Sequence, residues 1–346
     1  KIVNTLIEQT KKLTLTSRAF YNDALGVYEK FVTSYFGYDK VLPMNTGAEG
    51  VETAMKICRK WAYEKKGVPE NEAKIIVCGE NFHGRTITII SMSTDPDAKG
   101  GFGPYTPGFI TIPYNDLGAL EKALEDDTVA GFMVEPIQGE AGVNVPDEGF
   151  ISKACKMCKG KNVILIAVEV QTVIGRTGKL LACDHENVRP DMVILGKALS
   201  AGVYPISAVL ADDDIMLVIK PGQHGSTFGG NPVAARVAIS ALEVIKEEKL
   251  AENASELGEV FRSEMKRIDS PMIEKVRGKG LLNAVVIKPM NGKTAWDVCV
   301  KMAENGVLAK PTHNHIIRFA PPLVINKDEL MEAIGLIKES ILSFTE

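Results

Sequence analysis

Lys197 is the residue best placed for covalent chemistry, because it follows the apolar run 192–195 after a single glycine. An amine forms an imine with a carbonyl compound most readily when restricted access to water lowers its pKa. That condition is easier to meet at the end of a buried strand than on an exposed helix. A lone lysine after a strand is nevertheless usually a solvated surface residue. The prediction that Lys197 is catalytic therefore depends on the motifs around it.

Two glycine-containing segments could hold a phosphate group. Residues 45–53 include Gly47 and Ala48 and lead into a helix predicted at 53–63, where backbone N–H groups would face a dianion. An ordinary helix cap explains this pattern equally well. Residues 224–232 place Ser226 and Thr227 among glycines before another predicted helix, and could complete the phosphate site.

Aromatic and charged residues follow two further apolar runs. Phe82 and Arg85 come after the run that ends at residue 78, so Phe82 could stack on a planar ring, although a packed aromatic in a turn is the simpler interpretation. Glu135 and Glu140 come after the run 130–134. Acids beside a buried run are costly unless they are solvated or paired, so a role in a site and a structural role are both open.

Several classes of function are excluded by composition and spacing. The formal net charge of −4 is small for 346 residues and the charges are mixed along the chain, which argues against nucleic-acid binding. The apolar runs are too short to cross a membrane. The Cys155–Cys158 pair has no second pair, and His313 and His315 have no third ligand near them, so no metal site is predicted. Residues 175–179 resemble a phosphate-binding loop but lack its required glycine and hydroxyl positions.

The apolar runs also predict the fold class. From residue 42 to about 210 they alternate with helical patterns, which is typical of an α/β fold with a mostly parallel sheet and helices on both faces. Ligands gather beyond the carboxyl ends of such strands. After a helical pattern at 232–268, broken near residue 250, strands are predicted at 281–287, 307–308 and 316–319, between helices at 294–305 and 327–344. We therefore predict a large domain over residues 1–240 and a smaller C-terminal α+β domain over 241–346.

Taken together, these motifs resemble those of the class III aminotransferases, which bind pyridoxal 5′-phosphate (PLP) and have the fold type I architecture. The resemblance covers residues 13–344, and segments 278–283 and 310–322 are similar to those of the ornithine aminotransferases within that class. It implies that Lys197 carries the cofactor as a Schiff base and that the N–H groups of Gly47 and Ala48 bind its phosphate. It also implies that Phe82 stacks on the pyridine ring, that Gln171 meets the phenolic oxygen, and that His83, Val168 and Val170 line the same site.

The resemblance further implies the reaction and the assembly. The δ-amino group of L-ornithine would pass to 2-oxoglutarate, giving glutamate 5-semialdehyde and glutamate, with Lys197 as the general base. Arg318 would be covered by Glu140 when ornithine binds and freed for a dicarboxylate, while Arg85 and Glu135 would contact substrate. Ser226 and Thr227 would reach the phosphate of a neighbouring subunit, so a homodimer is expected.

Two positions depart from the family pattern. Val168 stands where the family has an aspartate that pairs with the pyridine nitrogen, and Val173 replaces a glycine. Because side chains alternate along a strand, positions 168 and 170 share a face while Glu169 points away and cannot substitute. Val168 therefore leaves open a dimer that binds PLP but transaminates poorly. A separate alternative is another class III enzyme, acting on acetylornithine or 4-aminobutyrate.

The N-terminal residues give little information on location in the cell. Residues 1–13 have the pattern of neither a signal peptide nor a transit peptide, and the segment that supplies substrate-binding tyrosines in the family is absent from the sequence. The scattered cysteines are typical of a reducing compartment. We expect a cytoplasmic location, with the mitochondrial matrix as the alternative.

Overall fold

The computed structural model describes residues 1–17 and 19–344, which form two compact units. The larger unit contains residues 1–136, 146–173 and 183–247, and the smaller unit contains 137–145, 174–182 and the described residues from 248 onward. The predicted boundary after residue 240 divides the chain once, whereas each of the two units is made of several separate segments of the chain. Two short segments within the first 182 residues are assigned to the smaller unit because most of their contacts are there.

The larger unit is built on a seven-stranded sheet with the strand order β1-β7-β6-β5-β4-β2-β3. Strand β7 is antiparallel to both its neighbours and the other pairs are parallel. The mostly parallel sheet that the sequence predicted is therefore confirmed. Its strands are β1 Lys40–Met44, β2 Lys74–Cys78, β3 Phe109–Ile112, β4 Val129–Val134, β5 Ile164–Glu169, β6 Met192–Leu195 and β7 Ser207–Ala211.

Helices cover this sheet, and several of their ends coincide with a capping side chain, a proline or a glycine. They are α1 Ile2–Lys12, α2 Leu25–Phe36, α3 Gly47–Trp61, α4 Ile87–Ser91, α5 Pro96–Lys99, α6 Leu117–Ala123, α7 Phe150–Gly160, α8 Asp213–Met216 and α9 Pro232–Glu247. Helix α3 begins at Gly47, so the predicted start at residue 53 is wrong. The sequence carries a capping box there, because Thr46 accepts from the N–H of Glu49 while Glu49 accepts from that of Thr46.

Alternation along β5 divides the core into two layers. Ile164, Ile166 and Val168 pack in the cluster that contains α3, whereas Leu165 and Ala167 pack in the cluster that contains α6 and α7. Since successive side chains of a strand point to opposite faces, this assigns each face of the sheet its own helices. The residue at position 168 therefore belongs to the α3 face.

The smaller unit has a four-stranded antiparallel sheet with the order β10-β11-β9-β8. Its strands are β8 Ile273–Lys279, β9 Leu282–Ile287, β10 Lys310–Thr312 and β11 Ile316–Phe319, and its helices are α10 Leu250–Lys266, α11 Ala295–Glu304 and α12 Lys327–Leu342. The strand predicted at 307–308 is wrong, because Leu308 is 87% exposed and the pairing begins at Lys310. Among the residues described in both units, no helix has the length and apolar character needed to span a bilayer.

Candidate functional site

A cavity of about 240 Å³ opens in the larger unit, where several strands of its sheet end. It brings together eight of the ten residues predicted to bind the cofactor, and leaves out Ser226 and Thr227. Glu135, predicted to contact substrate, and Gly84 also line it. The lining residues are Gly47, Ala48, Phe82, His83, Gly84, Glu135, Val168, Val170, Gln171 and Lys197.

Lys197 is the first residue of a short 3₁₀-helix, Lys197–Ser200, which follows β6 after Gly196. Its φ of 40° lies in the left-handed region, which is unfavourable for a residue with a side chain and is typical of functional sites. A Cβ added to Gly196 would lie 3.1 Å from Val170, so glycine is needed for this close approach. The side chain of Lys197 is exposed in the single chain. The expected restriction of water is therefore not provided by this subunit.

The start of helix α3 forms another wall of the cavity. Gly47 and Ala48 are its first two residues, and N–H groups at these positions have no acceptor within a helix. A Cβ added to Gly47 would lie 3.2 Å from Val170, so the strand ends and the helix start converge closely here. The partial positive charge of a helix N-terminus adds to these donors. This wall is therefore suited to a phosphate dianion.

Phe82 provides an aromatic face whose backbone is fixed by Glu135. The N–H of Phe82 donates to Oε1 of Glu135 at 2.8 Å, and Glu135 is 4% exposed. The preceding Asn81 donates to the carbonyl oxygens of Cys78 and Met92, which holds the turn against the end of β2. The role found for Glu135 is thus to position Phe82. A substrate contact for Glu135 stays a prediction.

Arg85 lies beside the same aromatic ring. Its guanidinium carbon is 5.9 Å from the centroid of Phe82, and its side chain is exposed. The position near the cavity is compatible with binding a carboxylate.

His83 lines the cavity with an imidazole that is 4% exposed. Neither ring nitrogen has a hydrogen-bond partner in the described chain. Burial lowers the pKa of His83 to about 3, so the ring is neutral at physiological pH. A neutral imidazole carries one donor and one acceptor.

Val168 and Glu169 lie on opposite faces of β5, as the alternation predicted. Val168 lines the cavity and is 3% exposed. Glu169 is fully buried away from it, where its carboxylate accepts from the hydroxyl of Thr172 and from the N–H of Cys183. The carboxylate nearest in sequence therefore cannot replace the one missing at position 168.

Ser226 and Thr227 lie outside the lining of this cavity. The hydroxyl of Ser226 accepts from the side chain of Asn45 at 2.9 Å and from the N–H of Gly229 at 3.0 Å, so it ties the loop to the segment before α3. Thr227 is exposed and contributes to a separate depression of about 410 Å³. A contact between these hydroxyls and a neighbouring subunit's cofactor stays a prediction.

Glu140 and Arg318 form an ion pair within the smaller unit. Oε2 of Glu140 lies 2.8 Å from Nη1 of Arg318, and Oε1 lies 2.6 Å from Nζ of Lys310. Burial opposes ionisation of Glu140, but the hydrogen bond from Lys310 and the charge of Arg318 outweigh it and hold its pKa below the ordinary value. The sequence reasoning missed Lys310. The signal was the hairpin register, which places Lys310 opposite Arg318 on adjacent strands.

These walls suit one chemical type of ligand, a flat aromatic aldehyde that carries a phosphate. Lys197 supplies the amine, α3 the anion site and Phe82 the stacking face, while Gln171 adds a polar side chain. PLP has these features, and Lys197, the start of α3 and Phe82 fit it, whereas position 168 does not. There a valine offers no hydrogen bond to a ring nitrogen.

Comparisons with known proteins agree with this chemistry. Residues 1–341 match the family Aminotransferase class-III. The mitochondrial ornithine aminotransferase of Rattus norvegicus is 58% identical over 99% of this chain and 78% of its own length. The ornithine aminotransferase of Toxoplasma gondii, in a structure described as having PLP partly occupying the active site, is 52% identical with a TM-score of 0.98, over 99% of this chain and 82% of that one. The acetylornithine aminotransferase of Elizabethkingia anophelis is 56% identical with a TM-score of 0.89, over 99% and 84%.

Proposed function

Because this chain belongs to the class III aminotransferases, we propose that it transfers the δ-amino group of L-ornithine to 2-oxoglutarate, giving glutamate 5-semialdehyde and glutamate. The observation that carries the proposal is the position of Lys197 at a cavity that also contains the start of α3 and the ring of Phe82. The high identity to the rat ornithine aminotransferase supports ornithine as the substrate.

PLP, when bound, would supply an aldehyde carbon for covalent attachment of amines and an aromatic ring that takes up electron density. Gly47 and Ala48 would anchor the phosphate, and Phe82 would hold the ring in a fixed plane through its contact with Glu135. Lys197, once its nitrogen is released, would act as the general base that moves a proton at the substrate carbon. These roles require the exposed side chain of Lys197, which lines the cavity, to point into it.

Selection between the two substrates is proposed to depend on Glu140. With Glu140 paired to Arg318, the cation is neutralised and the site favours ornithine, whose reacting end carries no carboxylate. When 2-oxoglutarate binds, its second carboxylate would compete for Arg318 by a bidentate contact. Lys310 would hold Glu140 during that exchange, since it already contacts the other carboxylate oxygen.

A homodimer is part of the proposal. Thr227 is exposed, and the large aromatic side chains near it are exposed as well, with Phe20 at 72%, Tyr21 at 104% and Phe228 at 52%. A second copy that covered this surface would bury apolar area and could bring Thr227 to the neighbouring cofactor. Light scattering on the purified protein, with a Phe228→Asp variant, tests the assembly. A monomeric wild-type protein that is fully active would contradict a shared site.

The location in the cell remains a proposal. The scattered cysteines favour a reducing compartment. The rat relative is named as mitochondrial, and this name favours the mitochondrial alternative over the cytoplasm. Fractionation of the source cells with an antibody to this chain would distinguish the two.

The test of the reaction is a spectrum of the PLP-loaded protein before and after ornithine. We expect the absorbance of the bound cofactor to change on adding ornithine and to return with 2-oxoglutarate, and borohydride reduction to mark Lys197 alone. Lys197→Ala should abolish both the mark and turnover.

Rates with ornithine, acetylornithine and 4-aminobutyrate distinguish the members of the class. A higher kcat/KM with acetylornithine would support the alternative suggested by the Elizabethkingia anophelis relative. A bound chromophore that never changes with any amine would support the silent alternative suggested by Val168.

A further inference from the structure

His83 is an exception to the usual pairing of buried polar groups. Its imidazole is 4% exposed and neither nitrogen has a partner in the described chain, whereas both nitrogens of His224 are within 2.9 Å of a polar side-chain atom, from Thr53 and Lys56. A buried donor without an acceptor costs folding stability. A group of this kind that faces a cavity is suited to a ligand that supplies the missing partner.

The other polar side chains around the cavity are already engaged. Glu135 accepts from the N–H of Phe82, and Gln171 and Lys197 both take part in interactions of their own. Val168 offers only methyl groups. Among the described lining residues, His83 is the side chain whose buried polar atoms have no hydrogen-bond partner.

We propose that His83 donates a hydrogen bond to the ring nitrogen of the bound cofactor, in the role that Val168 cannot take. The inference rests on the proposed function, because it assumes that PLP and its amine form occupy this cavity. An unprotonated pyridine nitrogen is an acceptor only, so the partner it needs is a donor. Burial keeps His83 neutral and leaves it one N–H to donate.

The consequence for chemistry is a ring nitrogen that stays unprotonated. A carboxylate beside that nitrogen would favour its protonated form, whereas a neutral donor does not. The cofactor would then accept electron density less strongly. His83 is thus a binding and positioning residue, and the chain is expected to bind the cofactor well while turning over slowly.

The experiment compares two ligands that cannot form an imine with Lys197. Pyridoxamine 5′-phosphate and its analogue with carbon in place of the ring nitrogen are titrated into wild-type protein by calorimetry. We expect the nitrogen-containing ligand to bind about two- to tenfold more tightly, which is the worth of one neutral hydrogen bond. In His83→Leu this ratio should fall to one or below, because the leucine has no donor and the ring nitrogen would be buried without a partner.

His83→Gln is the matched control, since its amide N–H can still donate, and it should retain part of the preference. Circular dichroism of each variant checks folding. Independently of any variant, the NMR shift of the isotope-labelled ring nitrogen in the wild-type complex should be that of an unprotonated, hydrogen-bonded pyridine.

An unchanged preference in His83→Leu, or the shift of a protonated ring, would overturn the assignment. If both ligands bind equally while ornithine is turned over, only the role of His83 fails. If neither ligand binds and ornithine is not turned over, the proposed function fails with it.

Discussion

Replacing Val168 by aspartate would place a carboxylate on the cavity wall that now has none. Val168 is 3% exposed and pairs in register with Ile194, so the new group would be removed from water on the sheet side. Without cofactor, burial should raise the pKa of this carboxyl by about two units, which costs about 3 kcal/mol near neutral pH. Loss of the buried valine methyl groups adds about 1–2 kcal/mol. The cofactor-free variant should therefore be less stable than wild type by about 4–5 kcal/mol.

With cofactor bound, the new carboxylate should be favourable instead of costly. The carboxylate would pair with the ring nitrogen and hold it protonated, and this contact strengthens as charge develops on the ring. The loss of one such preorganised contact typically costs about 10²- to 10³-fold in rate, so Val168→Asp should gain about that factor. The measurement is the single-turnover rate of the ornithine half-reaction, followed by cofactor absorbance. Denaturant unfolding with and without PLP gives the two stabilities.

Val168→Asn is the matched control for shape. It is nearly isosteric with aspartate but carries no charge, so it should stay within about tenfold of wild type because a neutral amide favours the protonated ring far less than a carboxylate. An unchanged single-turnover rate for Val168→Asp at full cofactor occupancy would refute the reasoning. It would mean that the ring nitrogen is protonated by another group or that its charge does not limit the rate.

Three further predictions concern stability and selection. Gly258→Ala should lower the free energy of unfolding by about 2–4 kcal/mol, because the added Cβ would lie 1.9 Å from a backbone oxygen, whereas Gly335→Ala on open helix surface should raise it by about 0.5–1 kcal/mol. Glu140→Gln should lower KM for 2-oxoglutarate by uncovering Arg318. The variant should also lose the stability that the Glu140 carboxylate contributes above its ordinary pKa. In wild type this contribution disappears as the pH falls through the lowered pKa of Glu140 in the folded protein. Wild type should lose about 2 kcal/mol of stability between pH 7.5 and 5 because the pKa of His83 is about 3 when folded and near 6.5 when unfolded, and His83→Leu should abolish this loss.

An exposed glutamate and an exposed histidine serve as controls for the predictions on Glu140 and His83. Glu304→Gln breaks an exposed pair with Lys301 and should leave the KM for 2-oxoglutarate unchanged. His315→Gln replaces an exposed histidine and should keep the loss of stability on acidification. A KM that does not respond to Glu140→Gln would contradict the switch. Acid sensitivity that persists in His83→Leu would show that another buried group titrates.

The sheet of the larger unit could be predicted because its inner strands β4, β5, β6 and β7 are buried along their whole length and therefore read as continuous apolar runs. The strands of the smaller sheet were harder to predict, because its edge strands are partly exposed and contain polar residues. Strand β8 carries charged residues at positions such as Glu274 and Lys275, since it lies at the edge of its sheet. Strand β10 has three residues and includes Pro311, which is tolerated at an edge. The apolar pair Val307–Leu308, of which only Leu308 is exposed, led to the wrong prediction of a strand there.

The residues that line the site could be predicted from the sequence, but their hydrogen-bond partners could not. Alternation along β5 placed Val168 in the cavity and Glu169 away from it without any coordinates, because it depends only on the period of a strand. Whether a buried nitrogen finds an acceptor depends instead on segments distant in sequence. His83 and Val168 are 85 positions apart and meet at one cavity. At this cavity the valine provides no carboxylate, and His83 is a neutral imidazole with an N–H that can donate. Whether the chain transaminates quickly or slowly depends on which of these a bound ring nitrogen experiences.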